Sequence, residues 1–97
     1  MRFSLPNRTY SEAILVLGRQ HPCETVGSFI AEALMQALTR PEPAVQWLLE
    51  NFEVIVVPMV NPDGVIHGMS RTNMAGLDLN RHWGDHIIKV THCPLRN

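Results

Sequence analysis

The segment His21-Pro22-Cys23-Glu24 holds the densest chemistry in the chain. An imidazole nitrogen and a carboxylate oxygen both suit zinc, and a catalytic zinc usually takes three protein ligands and a water. A His and a Glu three residues apart at the mouth of a helix can converge on one ion. The same two residues also suit a plainer arrangement, a surface histidine with Glu24 favourably placed at a helix N-terminus. A second group, Asn61-Pro62-Asp63-Gly64, reads by itself as a turn. Pro and Gly supply its dihedrals, and Asp63 caps its own backbone. The third group is Arg71 together with Asn80-Arg81, inside Gly76-Leu77-Asp78-Leu79-Asn80-Arg81. A guanidinium fork grips a carboxylate with paired hydrogen bonds, and an amide adds donors and an acceptor. A solvated loop accounts for lone arginines equally well.

These groups need a scaffold. Ala13-Ile14-Leu15-Val16-Leu17 is a continuous apolar run stopped by Gly18, which predicts a strand buried on both faces. From Val26 the spacing becomes helical. Val26, Phe29, Ile30, Ala33, Leu34, Ala37 and Leu38 form one stripe, with Thr25 as the expected cap and Pro41 and Pro43 ending the pattern. A second helix is expected over 44–51, with Val45, Leu48 and Leu49 inward. Residues 52–59, rich in Val and Ile, read as another buried strand. The first ten residues read as polar and turn-like, 60–83 as loop, and 87–90 as a short strand or helix. Strand, helix, helix, strand is a βαβ crossover, so the fold class is α/β with a mainly parallel sheet. The His21 and Asn61 segments then fall at the carboxyl ends of the two strands, where such sheets bind ligands.

Composition narrows the function. Eight Lys and Arg against nine Asp and Glu give a net charge of −1 over 97 residues, with no basic excess to neutralise phosphates, so nucleic acid is not an expected partner. Apolar runs reach about six residues against the ~20 of a membrane span, and Met1-Arg2-Phe3-Ser4-Leu5-Pro6 has no apolar leader core. Two cysteines, Cys23 and Cys93, suggest a reducing, cytoplasmic setting rather than a disulfide framework.

Together, the strand-HPxE-helix element, the strand-NPDG turn and the Gly-x-x-Arg…Gly-x-Asp-Leu-Asn-Arg-x-Trp loop resemble zinc carboxypeptidases of the carboxypeptidase A type. The likeness covers about residues 14–83 and is nearest to the cytosolic carboxypeptidase branch. It implies a mixed, mainly parallel sheet with flanking helices, and a Zn2+ cofactor held by His21 and Glu24. Arg71 would then polarise the scissile carbonyl, and Asn80 and Arg81 would clamp the substrate's terminal carboxylate. The substrate would be a peptide or protein C-terminus, acidic tails such as those of tubulin included. Asp63 and Gly64 take structural roles under this resemblance. Trp83, Met69 and Met74 are expected to pack, and Cys23, a glycine in much of that branch, to line the pocket wall.

The resemblance also calls for a third ligand, a later His, and a general-base Glu. The last glutamate is Glu53, and His82, His86 and His92 follow the Asn-Arg pair too closely to reach the third-ligand strand. The chain is therefore expected to be an inactive part of a catalytic domain, with a divergent tail over 84–97. Two other readings stay open: an N-acyl amino acid deacylase of the aspartoacylase type, which shares H-x-x-E and an Asn-Arg pair, and a non-catalytic interaction fragment.

Overall fold

A computed structural model describes residues 1–83 of the 97. The expectations for 87–90, for His86, His92 and Cys93 and for the 84–97 tail lie outside the described residues. Six elements follow in order: β1 (Arg2–Phe3), β2 (Ala13–Leu17), α1 (Val26–Ala37), α2 (Pro43–Asn51), β3 (Glu53–Val57) and α3 (Pro62–Ile66). The sheet order is β1-β3-β2. β2 and β3 run parallel from Ala13↔Glu53 to Leu17↔Val57, and β1 is antiparallel to β3 with Arg2↔Ile55 and Phe3↔Val54. This is the mixed, mainly parallel sheet with flanking helices that the sequence implied.

Register decides which residues meet. Val16 of β2 and Val54 and Val56 of β3 share one face with Phe3, and against that face lie Ala31, Leu34 and Met35 of α1, its C-cap Leu38, and Val45, Leu48 and Leu49 of α2. The inward residues of α2 are those its spacing predicted. Pro43 opens α2, where its missing N–H costs nothing. Val54 and Val56 are fully enclosed, each stabilising the fold by about 1.5–3 kcal/mol.

Four expectations are corrected. The opening residues are not all turn: Arg2–Phe3 pairs with β3, and Arg2 forms an ion pair with Glu53. Two residues are too short a run for periodicity to register. Among the described residues β2 is not buried on both faces, since Leu15, on the face away from the helices, is 57% exposed. The face of α1 is rotated from the predicted stripe. Leu34 and Leu38 of that stripe do turn inward, joined by Ala31 and Met35, whereas Val26, Phe29 (69% exposed) and Ile30 face out. Apolar residues cover every side of the helix but the Ser28-Glu32-Gln36 stripe, so its sequence offers two overlapping apolar faces and only packing chooses between them. Finally, the Asn61 segment is more than a turn, because Pro62–Ile66 forms a short helix capped by the Asn61 side chain. Thr25 occupies the cap position of α1 without a capping side-chain hydrogen bond.

Candidate active site

The loop after β2 is held in shape before any functional side chain is considered. Gly18 lies where a Cβ would come within 2.8 Å of the Pro58 carbonyl and 3.1 Å of the Gly27 carbonyl, so the two loops approach to backbone contact. Arg19 then adopts a left-handed backbone (φ 54°), rare for a residue with a side chain. Its guanidinium reaches over the next turn, Nε donating to the Pro22 carbonyl at 2.8 Å and Nη1 to Ser28 Oγ at 3.1 Å. The Glu24 amide donates to the His21 carbonyl at 3.1 Å, closing the His-Pro-Cys-Glu turn, and the Cys23 amide donates to Ser70 at 3.1 Å.

His21 is 6% exposed and lies between two carboxylates. Nδ1 is 3.0 Å from Glu24 Oε1, and Nε2 is 2.9 Å from Asp78 Oδ1. Asp78 also accepts from Arg71 Nε at 2.6 Å through Oδ2 and from the Asn80 amide at 2.9 Å through Oδ1. The hydrogen bonds to Glu24 and then to Asp78 raise the His21 pKa against the opposing pull of burial. Desolvation pushes the Asp78 carboxyl upward, but hydrogen bonds from His21, Arg71 and the Asn80 amide outweigh it and hold the group well below the usual carboxylate range.

This geometry brings His21, Glu24 and Arg71 into one network, with Asp78 as its hub. Sequence reasoning passed over Asp78, although its place two residues before Asn80-Arg81 was the available signal. Asn80 joins through its backbone, while its side-chain oxygen accepts from Trp83 Nε1 at 3.0 Å. Arg81 is exposed and turns back on the Asn80 carbonyl at 3.2 Å, so its side chain is not drawn into the His21 cluster. Trp83 and Met74 are exposed rather than packed, and Met69 is half-buried. Cys23 is an exposed free thiol. Gly64 is enclosed, and a Cβ there would meet Pro22 Cγ at 2.5 Å, which puts α3 directly beneath the His-Pro-Cys-Glu turn. A cavity of about 250 Å³ opens beside Val57, Asn61, Asn73 and Leu79, but none of His21, Glu24, Arg71, Asn80 or Arg81 lines it.

The donor set fits a metal in part. Glu24 and His21 Nδ1 converge, while Asp78 occupies the other ring nitrogen, as an orienting carboxylate does behind a metal-bound histidine. Among the described residues no group of three or more His, Cys, Asp or Glu completes such a site.

The family model described as zinc carboxypeptidase matches residues 2–94. The chain belongs to the zinc carboxypeptidase family. Within that family it is similar to cytosolic carboxypeptidases. It is 40% identical over 74 residues to cytosolic carboxypeptidase 6 of Mus musculus, covering 76% of this chain and 14% of the relative. It is 41% identical over 80 residues to cytosolic carboxypeptidase 2 of Danio rerio, covering 82% and 11%. Among solved zinc carboxypeptidase folds, a metallo-carboxypeptidase of Pseudomonas aeruginosa, in complex with (2-guanidinoethylmercapto)succinic acid, superposes with a TM-score of 0.71 at 40% identity over 84% of this chain and 22% of that one. A putative carboxypeptidase A of Shewanella denitrificans superposes with a TM-score of 0.79 at 33% identity, covering 87% and 22%. The chain thus spans under a quarter of each of these proteins.

Proposed function

We propose that this chain supplies the metal-binding and carboxylate-binding elements of a zinc-dependent carboxypeptidase, which hydrolyses C-terminal residues from peptides or proteins. The observation that carries the reading is the array Glu24–His21–Asp78–Arg71, in which each ring nitrogen of one enclosed histidine faces a carboxylate. His21 Nδ1 and the Glu24 carboxylate would hold zinc, with a further ligand from outside the described residues. Bound zinc supplies Lewis-acid polarisation of a carbonyl and an acidified water.

The chain's own residues prepare for that chemistry. With zinc bound, His21 would donate Nε2–H to Asp78 and leave the Nδ1 lone pair, beside Glu24, for the metal. Asp78 draws Arg71 to the same cluster through Nε and leaves its half-exposed guanidinium end as a donor for a carbonyl oxygen that gains charge. Asn80 and Arg81 offer an amide and a guanidinium to a terminal carboxylate, which would confine cleavage to chain ends. Acidic tails, C-terminal glutamates of the tubulin kind among them, are the proposed substrates, and a cytoplasmic location accords with the names of the relatives. The 97-residue polypeptide carries no glutamate after Glu53 to serve as general base, so it is proposed to be inactive unaided.

The test has two arms. The purified chain should take up zinc, lose that uptake in Glu24→Ala, and release no amino acid from a peptide ending in glutamate. Turnover abolished by chelation would overturn the proposed inactivity. Residues 14–83 grafted in place of the matching segment of the Pseudomonas aeruginosa enzyme should support peptide hydrolysis that Glu24→Ala eliminates. A well-folded graft that stays inactive with zinc bound would overturn the carboxypeptidase reading.

A further inference from the structure

We infer that Asn61 is a positioning residue, whose side-chain amide fixes the spacing between the His21-Glu24 turn and the Arg71 loop; the inference rests on the zinc reading above. Asn61 is 3% exposed, unlike an ordinary turn residue. Its Nδ2 donates to the Gln20 carbonyl at 3.3 Å and to the Thr72 carbonyl at 3.1 Å. Gln20 immediately precedes His21, and Thr72 immediately follows Arg71. The Asn61 Oδ1 accepts from the Gly64 amide at 3.0 Å, capping α3, and its backbone amide donates to Arg19 at 3.1 Å. One side chain therefore joins the loop after β2, the start of α3 and the arginine loop. The Cys23 amide, on the far side of His21, bonds to Ser70 at 3.1 Å, so the histidine is bracketed by two ties to the same loop.

Donor count separates this role from capping. A cap needs only the oxygen, and Asp serves there as well as Asn. Bridging two carbonyls needs two N–H donors on one short side chain. Asn has them, Ser and Thr have one, and Asp has none. Asn61→Asp keeps the contact to Gly64 and sets a carboxylate against the carbonyls of Gln20 and Thr72.

The test compares the full 97-residue chain with its Asn61→Asp and Asn61→Ala variants. Zinc affinity is read by competition with a chromophoric chelator, and backbone hydrogen exchange is followed over 19–25, 70–78 and α1. Asn61→Asp is expected to weaken zinc binding about 10-fold or more, the usual effect of losing a group that orients a metal ligand. It should also speed exchange in both loops while leaving α1 unchanged. If Asn61→Asp stays within about twofold of the parent in both readouts while Asn61→Ala does not, Asn61 is only a cap and the inference is overturned. Should Asn61→Asp fail to fold, Asn61→Ser takes its place under the same criteria, since it caps but cannot bridge both carbonyls. If the parent chain binds no zinc, the carboxypeptidase reading fails for this polypeptide. Exchange then decides Asn61 alone: faster exchange in both loops supports the bridge, and unchanged exchange overturns it.

Discussion

At the scale of single residues, the role of His21 is set by what faces each of its nitrogens. Because Asp78 occupies Nε2, removing its charge should loosen the ring without touching the proposed ligands. Asp78→Asn is expected to lower zinc affinity about 10- to 100-fold in a chelator competition, and an unchanged affinity would show that Nε2 is not oriented this way. Proton and metal compete for Nδ1. The folded-state pKa of His21 is raised above its ordinary 6.5, chiefly by Glu24 and then by Asp78. Its stabilisation of the metal-free chain is thus fully present below pH 6.5 and lost as pH rises through the folded value. Over that same rise the proton leaves and zinc binds more tightly. Thermal melts across pH 6 to 8 should show the metal-free Tm falling relative to a His21→Gln variant while the gain in Tm on adding zinc grows. Parallel pH profiles for the two chains would contradict this.

At the scale of elements, the site depends on how closely α3 lies under the turn after β2. Gly64 has no space for a side chain, with Pro22 Cγ at 2.5 Å and the Asn61 amide group at 2.7 Å from a hypothetical Cβ. Gly64→Ala is expected to destabilise the fold by about 1–3 kcal/mol in urea unfolding, the usual range for overpacking. The displaced turn should also cost zinc affinity. A Gly64→Ala chain of parental stability would mean that the turn and α3 separate freely. Legibility at this scale followed length and pattern. The bounds of β2 were plain because five apolar residues end at a glycine. β1 was missed because its two residues acquire meaning only through pairing with β3. The residues 62–66 read as a turn because Pro and Gly suit a turn as well as the first helical residues, and only the buried Asn61 cap distinguishes the two.

At the scale of the whole molecule, the described residues form a two-layer arrangement. Helices α1 and α2 cover the Val54 and Val56 face, while Leu15, Leu17, Ile55 and Val57 share the other face and range from half-buried to exposed. Parallel strands are ordinarily covered on both faces. Among the described residues β2 is an edge strand of five apolar residues with no charge or proline to discourage pairing. Among the described residues no helix is long and apolar enough to cross a membrane. The uncovered strand edge and the outward Val26, Phe29 and Ile30 predict self-association at micromolar concentration. Sedimentation velocity should show Leu15→Lys and Phe29→Lys each raising the monomer fraction, and a parent chain already monomeric would refute this. By itself the sequence determined the family, the βαβ order and the two strand ends at which chemistry gathers, because spacing and residue type are local properties. Tertiary structure alone decided that Asp78 binds both His21 and Arg71, that Asn61 spans two loops, and which side of α1 turns inward. Each of those depends on groups far apart in sequence meeting through sheet register and loop contact, and no local pattern encodes such a meeting.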